Sequence, residues 1–171
     1  LDWRGERFFR SEGPAAHDAP ARVSHDREKQ RMLEPDRRWL EALGITGGDG
    51  RPKRGMVDKH RQVLRFLEVL HHWLGDVPRP EDGRARWVDM GCGSGLLTFA
   101  TWEYLRRTGF TAAEVTGIEL RPELAAKTER TARALGCDGL SFVSGAIGDH
   151  DLGAVDGVIA LHACDTATDD A

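Results

Sequence analysis

The chain has 171 residues, enough for one domain of ordinary size with a buried core. Hydrophobic residues make up 40% and charged residues 30%, and no apolar run approaches the ~20 residues of a spanning helix, so disordered and membrane classes are excluded and the protein reads as soluble. Net charge is −4, divided unevenly: residues 1–84 hold 17 Lys/Arg against 15 Asp/Glu and residues 85–171 hold 7 against 13, an imbalance too mild to diagnose a nucleic-acid partner by itself.

The opening residues scatter charges where a secretory leader needs an apolar stretch, and with Leu1 in first place the sequence reads as an internal fragment. Residues 1–25 contain Gly13-Pro14 and Pro20 and hold no period of 2 or 3.6, so irregular chain is expected there. A helical stretch within Asp26 to Leu43 is expected to restart at Pro35, since proline suits a first turn, and to end at Gly44. Thr46 to Gly55 is a glycine-rich loop. Asp58 is the expected cap of the next helix, in which Val63, Phe66, Leu67, Leu70 and Leu74 form one packing face, while Lys59, Arg61, Arg65 and Glu68 face water. Gly75, Pro78 and Pro80 stop it.

From Arg86 the pattern is regular. Strands are predicted at Arg86 to Met90, Glu114 to Leu120, Leu140 to Val143 and Asp156 to Leu161, with helices at Gly95 to Arg107 and Pro122 to Leu135. Such alternation implies parallel pairing through crossover helices, hence an α/β sheet covered on both faces. Cys92, Cys137 and Cys164 are odd in number and lack CxxC spacing, which argues against a disulfide framework or a structural zinc and for a reducing, cytoplasmic setting. No metal is expected.

The segment Val88-Asp89-Met90-Gly91-Cys92-Gly93-Ser94-Gly95 sits where a strand becomes a helix. Glycine at alternate positions lets the backbone bend tightly and leaves no side chain between it and a ligand, and the helix opening at Gly95 and Leu96 offers amides near its positive end. Dinucleotide folds use G-x-G-x-x-G, which requires glycine at position 96, where Leu96 stands. Asp89 would repel a pyrophosphate but attract the amino group and sulfonium of S-adenosylmethionine, and D-x-G-x-G-x-G is the pattern of methyltransferases. Gly91, Cys92, Gly93 and Gly95 are therefore cofactor candidates; the bland alternative is a tight strand-to-helix connection without ligand.

Glu119, at the end of the second strand, can accept both hydroxyl protons of a ribose; alternatively it is an exposed strand-end glutamate. Leu120 follows it on the cofactor side. Past the third strand, Gly145, Ala146 and Ile147 can flank an adenine ring, with Ser144 and Asp149 as candidates for its amino group, or they form a simple turn. In open parallel sheets ligands lie beyond the carboxyl ends of strands where the strand order reverses, and strands one and four flank that point. That places His162, Cys164 and Asp165 near the expected methyl group, with His162 also counted toward the cofactor. Against a catalytic role stand capping for Asp165 or Thr166, with Thr166 and Asp169 at capping-box spacing, a hydrogen-bonded strand-end His162, and a small buried Cys164.

The segment Ala160-Leu161-His162-Ala163-Cys164-Asp165-Thr166-Ala167-Thr168-Asp169-Asp170-Ala171, taken with Val88 to Ala100 and Lys59 to Glu68, resembles a poorly characterised family of class I methyltransferases. That family includes the methyltransferase-like domain attached to a glutathione-transferase-like domain in animals. The resemblance covers Gly55 to Ala171. It implies a seven-stranded sheet, S-adenosylmethionine as cofactor, and a further region with a Pro-Cys-Cys-Gln type motif, absent from this sequence.

The expected architecture is therefore an N-terminal, partly helical extension over residues 1–54, possible contributor to substrate binding, and a Rossmann-like methyltransferase domain over residues 55–171. Its mostly parallel sheet is cut after the fourth strand. The expected reaction is in-line methyl transfer from S-adenosylmethionine, in which the protein aligns donor and acceptor and excludes water; His162 or Asp165 is the candidate base if a proton must leave. RNA is the first choice of acceptor, on fold analogy and the run Arg51, Lys53, Arg54, Lys59, Arg61 and Arg65, although that run also suits a solvated helix face. A catalytically inactive scaffold and a nicotinamide oxidoreductase are the alternatives, the latter disfavoured by the glycine spacing.

Overall fold

The computed structural model describes residues 33–146, 150 and 153–161. The irregular N-terminal stretch expected over residues 1–25 lies outside them. Asp36, immediately after Pro35, caps helix α1 (Arg37–Ala42) by accepting the Arg38 amide at 2.8 Å, and Gly44 follows the helix with φ +76°. The loop that comes next turns back on itself through a bridge between Thr46 and Pro52.

Helix α2 is Val57–Leu74, and its start corrects the expected cap. Gly55, at φ +81°, begins the helix early enough that Met56 is the N-cap and makes no side-chain bond. Asp58 is already inside the first turn, where its carboxylate pairs with Arg61 at 2.9 Å and faces the positive helix end. The predicted face does pack: Val63, Leu67 and Leu70 are buried, Phe66 and Leu74 lie against the core, and Lys59, Arg61, Arg65 and Glu68 are exposed.

Four strands and two helices follow: β1 (Arg84–Met90), α3 (Leu96–Arg107), β2 (Ala112–Glu119), α4 (Pro122–Ala134), β3 (Leu140–Ser144) and β4 (Gly157–Ile159). The sheet order is β3-β2-β1-β4 and every pairing is parallel, so strand order reverses between β1 and β4. β1 and β2 begin two residues before their predicted starts, because Arg84 lengthens the ladder opposite Ala112 without adding to the apolar pattern. β4 is shorter than predicted and pairs only over Gly157 to Ile159.

The described helices lie on one face of the sheet. Ala85, Val115, Leu140 and Phe142 point to that face and share one core with Trp39 of α1, Val63, Leu67 and Leu70 of α2, and Phe99, Tyr104 and Leu105 of α3. Phe99 stacks on Phe142 at 5.6 Å and on Trp39 at 5.7 Å. Each such buried side chain contributes about 1.5–3 kcal/mol. Alternate residues point the other way, where Arg86 pairs with Glu114 and Thr116 with Ser141. Val88 and Ile118 point the same way and are buried, so that face is covered at its centre. Among the described residues, no helix is long and apolar enough to cross a membrane.

Residues 33–54 are built into this core through Trp39, Leu40 and Ile45. Their anchor is Glu103 of α3, which accepts the Asp36 amide at 3.0 Å and the Trp39 indole N–H at 2.8 Å and pairs with Arg107 at 2.7 Å. Burial pushes the Glu103 carboxyl above its ordinary pKa, against the pull of those donors. Glu103→Ala strands the buried indole N–H and is expected to cost about 2–4 kcal/mol, while Glu103→Gln retains most of that stability by keeping an acceptor. Urea unfolding checks this; equal midpoints for the alanine variant and the parent would remove Glu103 from the anchor.

Candidate functional site

After β1 the chain turns through three glycines in left-handed conformation, Gly91 (φ +71°), Gly93 (φ +56°) and Gly95 (φ +75°). The turn is sewn to the end of β2, since the amides of Gly91 and Cys92 both donate to the Ile118 carbonyl at 2.9 Å. Two of the glycines answer different demands. A Cβ on Gly95 would lie 2.6 Å from the Phe142 ring and 2.7 Å from the Thr128 methyl, so this glycine is required by packing. A Cβ on Gly93 would meet nothing within 4 Å, so there the bare backbone faces open space. The amide of Gly95 is not open to a ligand as expected from the sequence, because it donates to the Cys92 carbonyl to close the turn. The amides of Leu96 and Leu97, at the start of α3, make no hydrogen bond among the described residues.

Asp89 and Glu119 lie on adjacent strands, both buried, and both are tied to this turn. Asp89 accepts the Thr98 hydroxyl at 2.7 Å, which links it to the first turn of α3. Glu119 accepts the Gly93 amide at 2.9 Å on Oε2, and on Oε1 the Arg121 amide at 3.1 Å and the Arg121 Nε–H at 2.7 Å. Burial alone would raise the Glu119 pKa, but the hydrogen bonds and charge of Arg121 and the Gly93 amide outweigh it and hold the carboxyl below its ordinary value. Ionised Glu119 therefore favours the folded form at neutral pH, a contribution lost as pH falls through the depressed value. Burial, reinforced by the charges of Asp89 and Glu119, pushes the Cys92 thiol up to about 12. Cys92 is thus a protonated filler of the turn and no nucleophile.

The pairing of Glu119 with Ser144, and the donation of the Gly145 amide to the Glu119 carbonyl at 3.1 Å, bring the end of β3 to the same rim. Leu120 is 62% exposed there, unusual for a leucine at the end of a buried strand, and Ala146 is exposed as well. Asp89, Gly91, Cys92, Gly93, Gly95, Glu119, Leu120 and Ala146 thus line one end of the sheet. Ile147, Asp149, His162, Cys164, Asp165, Thr166 and Asp169 lie outside the described residues. β4 runs toward the same end, with Ile159 paired to Asp89.

Two side chains at the site escaped the sequence reading. Thr98 stands three residues after Gly95, where a hydroxyl in the first helical turn points back toward the strand it follows. Arg121 is the N-cap of α4, followed by Pro122 at the first helical position, and that X-Pro start is the signal that its backbone leaves β2 extended. A separate groove of about 840 Å³ runs between α2 and β4, lined by Phe66, Trp73, Trp87, Leu97 and Val158. Neither Asp89 nor Glu119 lines it, so it is not the cradle at the glycine turn. Among the described residues, no group of three His, Cys, Asp or Glu side chains converges as a metal site.

No curated protein matches the sequence. In structure the chain is similar to part of YcgJ from Bacillus subtilis, at 20% identity, covering 53% of this chain and 37% of that one with a TM-score of 0.39. It is similar to part of PKMT2 from Rickettsia typhi, a structure in complex with AdoHcy, at 19% identity, 56% and 18% coverage and a TM-score of 0.39. A third similarity is to the SAH-bound methyltransferase PaMTH1 from Podospora anserina, at 18% identity, 82% and 55% coverage and a TM-score of 0.43. The chain spans less than two thirds of the length of each of these three. The family described as a methyltransferase domain matches residues 58–171, which include the glycine turn, both carboxylates and all four strands. The chain belongs to that methyltransferase-domain family.

Proposed function

We propose that the protein transfers a methyl group from S-adenosylmethionine to RNA. The observation that carries the cofactor reading is the Glu119 carboxylate held against the Gly93 amide, beside a glycine whose missing side chain leaves open space. The donor set fits the cofactor: Glu119 offers acceptors for the ribose hydroxyls, Asp89 a buried negative charge for the ammonium and sulfonium, and the Leu96 and Leu97 amides, which make no hydrogen bond among the described residues, donors for the carboxylate. The exposed Leu120 supplies an apolar surface for the adenine, as does the exposed Ala146, which Ile147 follows in sequence. When bound, S-adenosylmethionine supplies a methyl group already activated by positive charge. The chain's own task is to orient that group and keep water away from it.

Where the acceptor must lose a proton, the role falls to His162 or Asp165, which follow β4 in sequence. RNA as acceptor is supported by the run from Arg51 to Arg65, which carries six Lys/Arg against one Asp, all six exposed on one loop and the first half of α2. Free cysteines buried at positions 92 and 137 suit a reducing compartment, and we place the protein in the cytoplasm.

Titrating S-adenosylhomocysteine into the full-length protein tests the cofactor reading. Gly93→Ala is expected to weaken binding at least about ten-fold while costing only about 1 kcal/mol of stability, because it fills ligand space and strains one left-handed residue. Gly95→Ala is expected to cost about 2–5 kcal/mol through strain and collision with Phe142. Unchanged binding by folded Gly93→Ala would refute the cradle. His162→Ala or Asp165→Ala should slow methyl transfer more than it weakens cofactor binding, and equal losses in turnover and calorimetry would argue against a proton-accepting role. RNA affinity should fall steeply as salt rises from about 50 to about 200 mM, and an affinity unchanged over that range would contradict phosphate contacts by the basic run.

A further inference from the structure

The groove between α2 and β4 leaves large apolar side chains in water. Trp73 is 70% exposed, and Val69, Val158 and Leu161 are exposed beside it. Clustered apolar exposure of this kind marks a place where something binds. The groove's volume, about 840 Å³, falls within the roughly 300–1,000 Å³ of sites for small molecules or single groups of a larger one. Three of its lining side chains are aromatic, Phe66, Trp73 and Trp87, and among the described residues none of them stacks on another ring. Trp87 is laid flat on the neighbouring strand: a Cβ on Gly157, its partner in the β1–β4 ladder, would stand 2.5–2.6 Å from three atoms of the six-membered ring. The bare Gly157 therefore gives that indole its place in the groove.

The charge of the lining narrows the choice of occupant. Arg61 and Arg65 stand one turn apart on α2 among the groove residues, with Asp58 paired to Arg61. Both arginines are exposed and both end the basic run that begins at Arg51. An apolar peptide or a greasy small molecule would use the aromatic rings and leave these cations without a counterpart. A nucleotide uses both, since its base has flat faces to stack and its phosphate carries the opposite charge. Duplex RNA keeps its bases stacked inside, so the matching ligand is a single strand whose bases can be splayed out. The groove also meets the glycine turn. Leu97 belongs to the first turn of α3, Ile159 pairs with Asp89, and both line it.

We propose that this groove seats an unstacked base of a single-stranded RNA, with Trp73 as the stacking platform and Arg61 and Arg65 against the adjoining phosphates. The proposal rests on the reading of RNA as acceptor. It places the acceptor strand along α2, beside the acid assigned to the sulfonium.

Fluorescence anisotropy with the full-length protein at about 50 mM salt tests it, using a single-stranded RNA of about ten nucleotides that cannot self-pair and a duplex of the same length. Trp73→Leu is expected to bind the single strand at least about five-fold more weakly, Trp73→Phe to keep most of the wild-type affinity, and both to bind the duplex as wild type does. Leu keeps apolar bulk and Phe keeps a ring, so a general loss of apolar surface would not separate the two variants. Arg65→Ala is expected to weaken the binding of both RNAs and to flatten its salt dependence. A Trp73→Leu variant that binds the single strand as wild type does, or a Trp73→Phe variant as weak as Trp73→Leu, overturns the groove; wild-type affinity that still falls steeply with salt then leaves the RNA reading standing. If wild type binds neither RNA, both ideas fail. Acrylamide quenching reads the groove directly. The emission that Trp73→Leu removes should be readily quenched in the RNA-free full-length protein and protected by the single strand. Protection already present without RNA means that protein covers the groove, whether the rest of the chain, a second copy or another partner, and overturns the proposal.

Discussion

The Phe142 ring fills the space that side chains at two other positions would need. A Cβ on Gly95 or on Gly117 would lie within 2.8 Å of it, and the Gly117 Cβ would also press on the Cys92 sulfur. Because both positions are bare, β3 can pack its aromatic residue directly over the junction of β1, β2 and α3. That contact draws the glycine turn down onto the end of β2, close enough for Glu119 to reach the Gly93 amide. Glu129 of α4 fixes the ring from the other side by accepting the Phe142 amide at 2.8 Å, which also occupies a donor on the outer edge of β3.

The same ring carries the N-terminal segment into the site. Trp39 stacks on Phe99, and Phe99 stacks on Phe142, so α1 is continuous with the packing beneath the turn. Close-packed interiors transmit displacement because they hold few voids to absorb it. A loosened Trp39 leaves Phe99 without one of its two aromatic neighbours, and Phe99 donates its own amide to the Gly95 carbonyl at 2.9 Å. Residues 33–54 therefore matter to the cradle through packing, although none of them reaches it.

What the sequence made legible was local. The alternation of strands and helices, the three glycines and the two strand-end acids depend on spacing within a few residues, and each is where its pattern put it. Contacts between distant residues left no such pattern. Glu103 meets Trp39 across 64 positions and Asp36 across 67, and it reads in sequence only as one more charge on a helix. The expected Asp58 cap failed because Gly55 begins the helix sooner than the first apolar residue suggests. The Arg121 bond combines a visible element, the X-Pro helix start, with a side-chain direction that only the fold reveals.

The electrostatics of the turn bear on which form of the cofactor it favours. Asp89 and Glu119 are buried on adjacent strands, and their charges reinforce the burial that raises the Cys92 thiol to about 12. The Thr98 hydroxyl and the Gly93 amide are neutral donors that solvate these charges without cancelling them. Arg121 is the cation paired with Glu119, and it stands mostly in solvent, where its charge is screened. On the proposed reading S-adenosylmethionine would bring a positive charge that its demethylated product lacks, so Asp89 and Glu119 would attract the first more than the second. The pair of acids would thus hold the reactant more strongly than what remains after reaction.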